Sequence, residues 1–132
     1  MMFTIPYPPS TNTLFRNVPG RGRVKTARYK TWMRAAKNEI MAQRAGLGPF
    51  PIACPVDFTL EISLERKGSD LDNRLKAPID ALVAAGILQD DKFIARLSAA
   101  WSNMPKSMAR VELRLCQAPE DWRRIKMTAP EK

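Results

Sequence analysis

The chain contains no histidine. That excludes an imidazole general base, and it removes the commonest nitrogen ligand for zinc. Cysteine is almost as scarce. Cys54 and Cys116 stand far apart in no metal-ligand spacing, and both read as reduced residues in or near the core. No apolar run approaches the ~20 residues needed to span a membrane, and the first six residues lack the basic-then-apolar pattern of a secretory signal. A cytoplasmic protein with no membrane partner is expected. Acidic residues are in deficit, 13 against 22 lysines and arginines, which leaves a net charge of +9 and points to a polyanionic partner. There is no internal repeat, low-complexity tract or interdomain linker. The 132 residues therefore read as one domain, 1–132, long enough to bury a core.

The positive charge is concentrated. Between residues 16 and 44, Arg16, Arg21, Arg23, Lys25, Arg28, Lys30, Arg34, Lys37 and Arg44 face Glu39 alone, a net of +8. Residues 13–25, with Pro19-Gly20 and Gly22, read as a mobile basic loop able to settle on a phosphate backbone. Phe15 within it is either an anchor packing the loop onto the domain or a wedge stacking at opened base pairs. Residues 27–45 read as a helix ending near Gly46, with Tyr29, Trp32, Met33, Ala36, Ile40 and Met41 on one apolar stripe. That stripe makes Trp32 core rather than a base-stacking platform. The cations off the stripe, Arg28, Lys30, Arg34 and Lys37, are either a solvated face or, with the neighbouring loop, a DNA surface.

Phe3, Ile5 and Tyr7 alternate in a short first strand whose Pro6 marks an edge or an end. Val56, Phe58, Leu60, Ile62 and Leu64 form the clearest strand pattern in the chain, followed by a polar connector, 65–69, containing Gly68. A second helical stripe, Leu71, Leu75, Ile79, Leu82 and Val83, covers 71–85. Alternation over 93–102 and 110–115, with a turn at 103–107, reads as a β-hairpin. Pro119-Glu120-Asp121 opens a short helix anchored by Trp122, with Arg123, Arg124 and Lys126 toward its end. The order implies an α+β fold: a small mixed β-sheet with two main helices packed on it and a C-terminal β-hairpin.

At the junction of the long strand and the second helix stand Asp70, Asp72, Asn73 and Lys76, with Asp90-Asp91 downstream. Carboxylate oxygens are hard ligands suited to Mg²⁺ or Mn²⁺, which are typically held by one or two of them plus water and phosphate. Asp70 and Asp72, joined by Asp90 or Asp91, make an acidic cup. Lys76, one helical turn beyond Asp72, can reach over it to offset charge on a phosphate. With no histidine present, activation of water is left to a bound cation. A helix over 71–85 is ~22 Å long, and the return to Asp91 spans at most ~20 Å. Closure is tight unless Pro78 shortens or bends the helix. A purely structural reading competes: Ser69 to Asp72 fits a capping box, the acids suit the macrodipole, and Asp72/Lys76 is an i,i+4 pair.

The pattern Asp-x-Asp-Asn-x-x-Lys followed by an Asp-Asp pair resembles the RusA family of Holliday-junction resolvases. The likeness extends through Leu75-Lys76-Ala77-Pro78-Ile79-Asp80-Ala81-Leu82 and Ala85-Gly86-Ile87-Leu88-Gln89-Asp90-Asp91, and includes Pro9-Ser10-x-Asn12. It implies a metal-dependent homodimeric endonuclease that resolves four-way DNA junctions by paired symmetric nicks in recombination and repair. It implies Asp70, Asp72, Lys76 and Asp91 as catalytic residues, the three aspartates as Mg²⁺ or Mn²⁺ ligands, and Asn73 and Asp90 as their support. Arg16, Arg21, Arg23, Lys25, Arg28, Lys30, Arg34 and Lys37 are the expected DNA contacts. A C2 dimer presenting two cups suits the approximate two-fold symmetry of the junction. The alternative is a non-catalytic basic DNA-binding protein whose aspartates are caps and pairs. An RNA-binding module lacks its aromatic strand pattern here.

Overall fold

A computed structural model describes residues 1–63 and 70–117. The connector 65–69 and the helix expected from Pro119, with Trp122 and its basic cluster, lie outside the described residues.

The strand with the strictest alternation becomes the centre of the sheet. β4 (Val56–Ser63) buries Val56, Phe58, Leu60 and Ile62 on one face and half-exposes Asp57, Thr59 and Glu61 on the other. On its two sides lie β5 (Ile94–Ser102), parallel to it, and β6 (Met108–Leu115), antiparallel to it. β1 (Met2–Pro6) closes the far edge on β6, with Pro6 at its end. The four-stranded order is β1-β6-β4-β5, a mixed sheet.

This arrangement corrects the expected C-terminal β-hairpin. β5 and β6 are consecutive but not paired, because β4 lies between them. Alternation specifies which side chains share a face, not which strand is the neighbour. The parallel β4–β5 pair is created by the helix that connects them, since parallel strands need a crossover rather than a tight turn.

The first helix buries most of its stripe in the same core as the apolar sheet face. Of the stripe expected on the second only Leu82 is fully buried, beside Ala77, Pro78 and Ala81, while Leu71, Leu75, Ile79 and Val83 are partly buried against that core. α1 (Ala27–Gln43) buries Tyr29, Trp32, Ala36 and Ile40, while Met41, expected on the stripe, is half exposed. α1 starts where Thr26 accepts a hydrogen bond from the Tyr29 amide at 3.2 Å. α2 (Lys76–Ala84) is shorter than the expected 71–85, and a separate 3₁₀ turn occupies Asp72–Arg74. Pro78 falls in α2's first turn, where its missing N–H is tolerated. The other sheet face is polar, with Arg110 Nε 2.9 Å from Glu61 and a Thr59–Ser98 hydroxyl contact of 3.0 Å.

The basic segment 13–25 is not an irregular loop. It forms a second, two-stranded sheet, β2 (Phe15–Val18) on β3 (Gly22–Lys25). Gly20 and Gly22 take positive φ of 77° and 75°, the conformation this tight reversal demands and other residues resist. Thr26 fastens the hairpin to α1, donating its hydroxyl to the Thr13 carbonyl at 2.8 Å.

Candidate active site

Three local devices bring the motif residues together. The first is the Asp72–Arg74 turn, pinned by the N-terminal segment. Thr11 Oγ1 donates to the Asn73 carbonyl at 2.9 Å, and Arg74 donates to the Pro8 carbonyl at 2.9 Å with its guanidinium 5.2 Å from the Tyr7 ring. The segment from Pro8 to Thr11 therefore braces the motif turn. The second is Asn73, whose side-chain amide donates to Asp70 Oδ2 at 3.2 Å and so supports that carboxylate.

The third is the end of α2. Gly86 (φ 75°) donates to the Val83 carbonyl and Ile87 to the Leu82 carbonyl, the paired bonds of a Schellman cap. Arg44 adds a 3.0 Å bond to the Ala85 carbonyl. The chain leaves through buried Ile87 and Leu88, held to Ile52 by the Ile52 and Gln89 amides at 2.8 and 3.0 Å. Because α2 is only about 14 Å long, the return that looked tight closes easily. Asp90 then caps the turn Asp91–Phe93 by accepting from the Lys92 amide at 3.0 Å.

Asp72, Lys76, Asp80 and Asp91 consequently line one cleft of about 260 Å³, with Thr11, Leu75 and Ile79. Asp70 is not part of this lining; it stands two residues before the Asp72–Arg74 turn and is tied to it by Asn73. Lys76 Nζ sits 3.5 Å from Asp80 Oδ2, so its i,i+4 partner is the carboxylate one turn further along the helix rather than Asp72, one turn before. Among the described residues no hydrogen bond or ion pair occupies the exposed Asp72 carboxylate, and no side chain caps α2. Neither a cap nor an ion pair among the described residues therefore engages the Asp72 side chain. The capping box itself begins at Ser69, outside the described residues.

The cleft holds uncompensated negative charge. The Asp91 carboxyl is raised above its ordinary value, first by its hydrogen bond with Asp90, then by burial and by the charges of Asp90 and Asp80, against the pull of Lys76. Among the described residues no three carboxylates enclose an ion by themselves. An all-oxygen set of carboxylates open to solvent still fits a hard divalent cation that completes its shell with water and phosphate.

The cations arrange themselves around this cleft. Lys25, Lys30, Arg34 and Lys37 line a groove of about 340 Å³ with Met33 and Asn38. Lys25 and Met33 also line an adjoining cavity of about 360 Å³ whose other wall carries Asp80, Asp90 and Asp91. Arg16 and Arg23 line a third recess, about 280 Å³, with Thr11 and Asn12. Arg21 and Arg28 are exposed outside these clefts. Phe15 is half buried against Tyr29, ring centroids 5.7 Å apart, under the Arg23 guanidinium at 4.2 Å, the packing expected of an anchor. Trp32 is 8% exposed and donates to the Pro6 carbonyl at 3.2 Å, as expected of a core residue.

Sequence reasoning missed Asp80 and the Tyr29 hydroxyl. Asp80 lies four residues after Lys76 and eight after Asp72, so helical periodicity alone places it on their face.

An α+β domain in which a cationic track runs into a carboxylate–lysine cleft defines a nuclease-type architecture. The comparisons agree: the family model for the endodeoxyribonuclease RusA matches residues 6–116. The chain belongs to the RusA family. It is 35% identical over 92 residues to the crossover junction endodeoxyribonuclease RusA of Escherichia coli K12, covering 67% of this chain and 71% of that protein. Its identity to the enzyme of the same name from Enterobacteria phage 82 is 34% over 89 residues, with coverage of 67% and 71%. For the Shigella sonnei enzyme it is 34% over 92 residues, with the same coverage.

Proposed function

We propose that this protein is a Mg²⁺- or Mn²⁺-dependent, structure-selective endonuclease that resolves four-way DNA junctions by paired symmetric nicks, acting as a cytoplasmic homodimer in recombination and repair. The observation that carries the reading is that the cationic groove continues, through Lys25 and Met33, into a cavity that shares Asp80 and Asp91 with the carboxylate cleft. Phosphates are drawn broadly by the groove and presented to the cleft.

Asp72 and Asp91, with Asp70 from two residues before Asp72, are the residues that would hold the metal. Bound there, Mg²⁺ or Mn²⁺ supplies Lewis-acid polarisation of the phosphate and water of lowered pKa. Lys25, Lys30, Arg34 and Lys37 bind the backbone and set the approach of the scissile phosphate. Lys76 places an ammonium where negative charge grows on the phosphate oxygens. Asn73 holds Asp70, and Asp90 holds the turn that presents Asp91. Two copies related by a two-fold axis match the junction's symmetry and account for paired nicks.

The test is to label each strand of a synthetic four-way junction in turn and map the products made in Mg²⁺. The reading expects nicks at symmetry-related positions on two opposing strands. Unpaired nicks scattered over junction and linear duplex alike contradict it.

A further inference from the structure

We propose that Asp80 is a positioning residue of the cleavage centre: its carboxylate holds the Lys76 ammonium over the cleft and ties that centre, through Tyr29, to the DNA-binding helix. The inference rests on the nuclease reading and extends it to a residue outside the aspartate–lysine motif.

Asp80 Oδ2 accepts from the Tyr29 hydroxyl at 2.7 Å and lies 3.5 Å from Lys76 Nζ. One oxygen thus serves two donors on two helices. Tyr29 is wholly buried, flanked by the Phe15 ring at 5.7 Å and the Trp32 ring at 6.4 Å, and the Lys25 ammonium lies 5.6 Å from its ring. Its hydroxyl therefore has little freedom. Burial, and next Asp80, push the phenol above its ordinary value, which keeps it a donor. The carboxylate it orients lines both the cleft of Asp72 and Asp91 and the cavity that opens to Lys25. An oxygen already engaged twice is better placed to orient its neighbours than to bind a cation. Lys76 is half exposed and has several rotamers available, so an anchor is what gives its charge a fixed location.

Asp80→Asn keeps an oxygen for Tyr29 and removes the charge that holds Lys76. With saturating protein and a four-way junction in Mg²⁺, it should slow single-turnover cutting by about 10- to 100-fold, the scale of an ångström-level misplacement. Junction affinity in EDTA should stay within about twofold. In a Lys76→Ala background the same substitution should cost nothing more, because its target is gone. Cutting at the wild-type rate by Asp80→Asn, or a double variant that loses the product of the two single effects, overturns the proposal.

A second arm does not need cleavage. After reductive methylation with ¹³C, the Lys76 dimethylammonium resonance should shift toward those of freely exposed lysines in Asp80→Asn and stay in place in Asp57→Asn, on the polar sheet face. A Lys76 signal unmoved by Asp80→Asn overturns the proposal. Wild-type protein that binds junctions and cuts none in any divalent cation sinks the nuclease reading instead, and this arm still judges the Asp80–Lys76 arrangement.

Discussion

Replacing Lys30, Arg34 and Lys37 together by alanine strips most of the charge from the groove that leads to the acidic cleft. The three residues sit at i, i+4 and i+7 on α1, about 10 Å of helix surface. Alanine is the best helix former, so α1 itself should keep its stability, which a thermal melt would verify. If each cation neutralises one phosphate, the slope of log affinity against log salt becomes shallower by about 0.9 per residue, or about 2.7 in all. Between 50 and 200 mM salt that difference amounts to about 40-fold in how much binding is lost. Fluorescence anisotropy of a labelled four-way junction, titrated in EDTA across that range, reads the slope without cleavage. A folded variant whose slope equals that of wild type would refute the path, since the DNA would then be running over some other face.

Three further outcomes follow from the same structure. Leu60, fully buried at the centre of β4, should cost about 2–5 kcal/mol when changed to alanine, read as a lower urea midpoint with an unchanged slope. Gly22→Ala forces a side chain into positive φ at the hairpin turn and should cost about 1–2 kcal/mol, read as a melting temperature lower by several degrees, with weaker junction binding. The raised Asp91 carboxyl means that the folded state holds its proton more tightly than the unfolded chain, whose value is near 3.8. The stability it contributes is therefore complete below that pH and is lost as pH rises through the folded value. In EDTA, Asp91→Asn should flatten the melting-temperature profile across that window and raise it slightly above the window, the effect being small because the group is largely exposed.

The elements that were legible in the sequence are those whose pattern is set by burial on one side. β4, α1 and β1 each alternate or repeat against the core, and each lies within two residues of where its periodicity put it. Pairing was not legible. β5 and β6 alternate as well as any hairpin, yet their separation depends on β4 claiming both as neighbours, a contact between residues distant in the chain. The β2–β3 hairpin escaped notice for the opposite reason: Arg16, Asn17, Arg23 and Lys25 leave it too little apolar surface to register as strands. Within the cleft, spacing and family likeness together marked Asp70, Asp72, Lys76 and Asp91, and the structure gathers Asp72, Lys76 and Asp91 around one space while leaving Asp70 out of its lining. Asp80 looked like ordinary helix surface. Its significance arises from Tyr29, 51 positions earlier, whose ring read as core and whose hydroxyl no periodicity could place.

The measurement that tests the central claim most directly compares wild type with Asp72→Asn on a four-way junction and a matched linear duplex, each in Mg²⁺ and in EDTA. The substitution preserves size, removes one carboxylate charge from the cleft and should not weaken attraction for phosphate. The account predicts cutting only by wild type, only of the junction and only with the metal, while Asp72→Asn binds the junction at least as tightly. Junction cutting that survives in Asp72→Asn or in EDTA would contradict it.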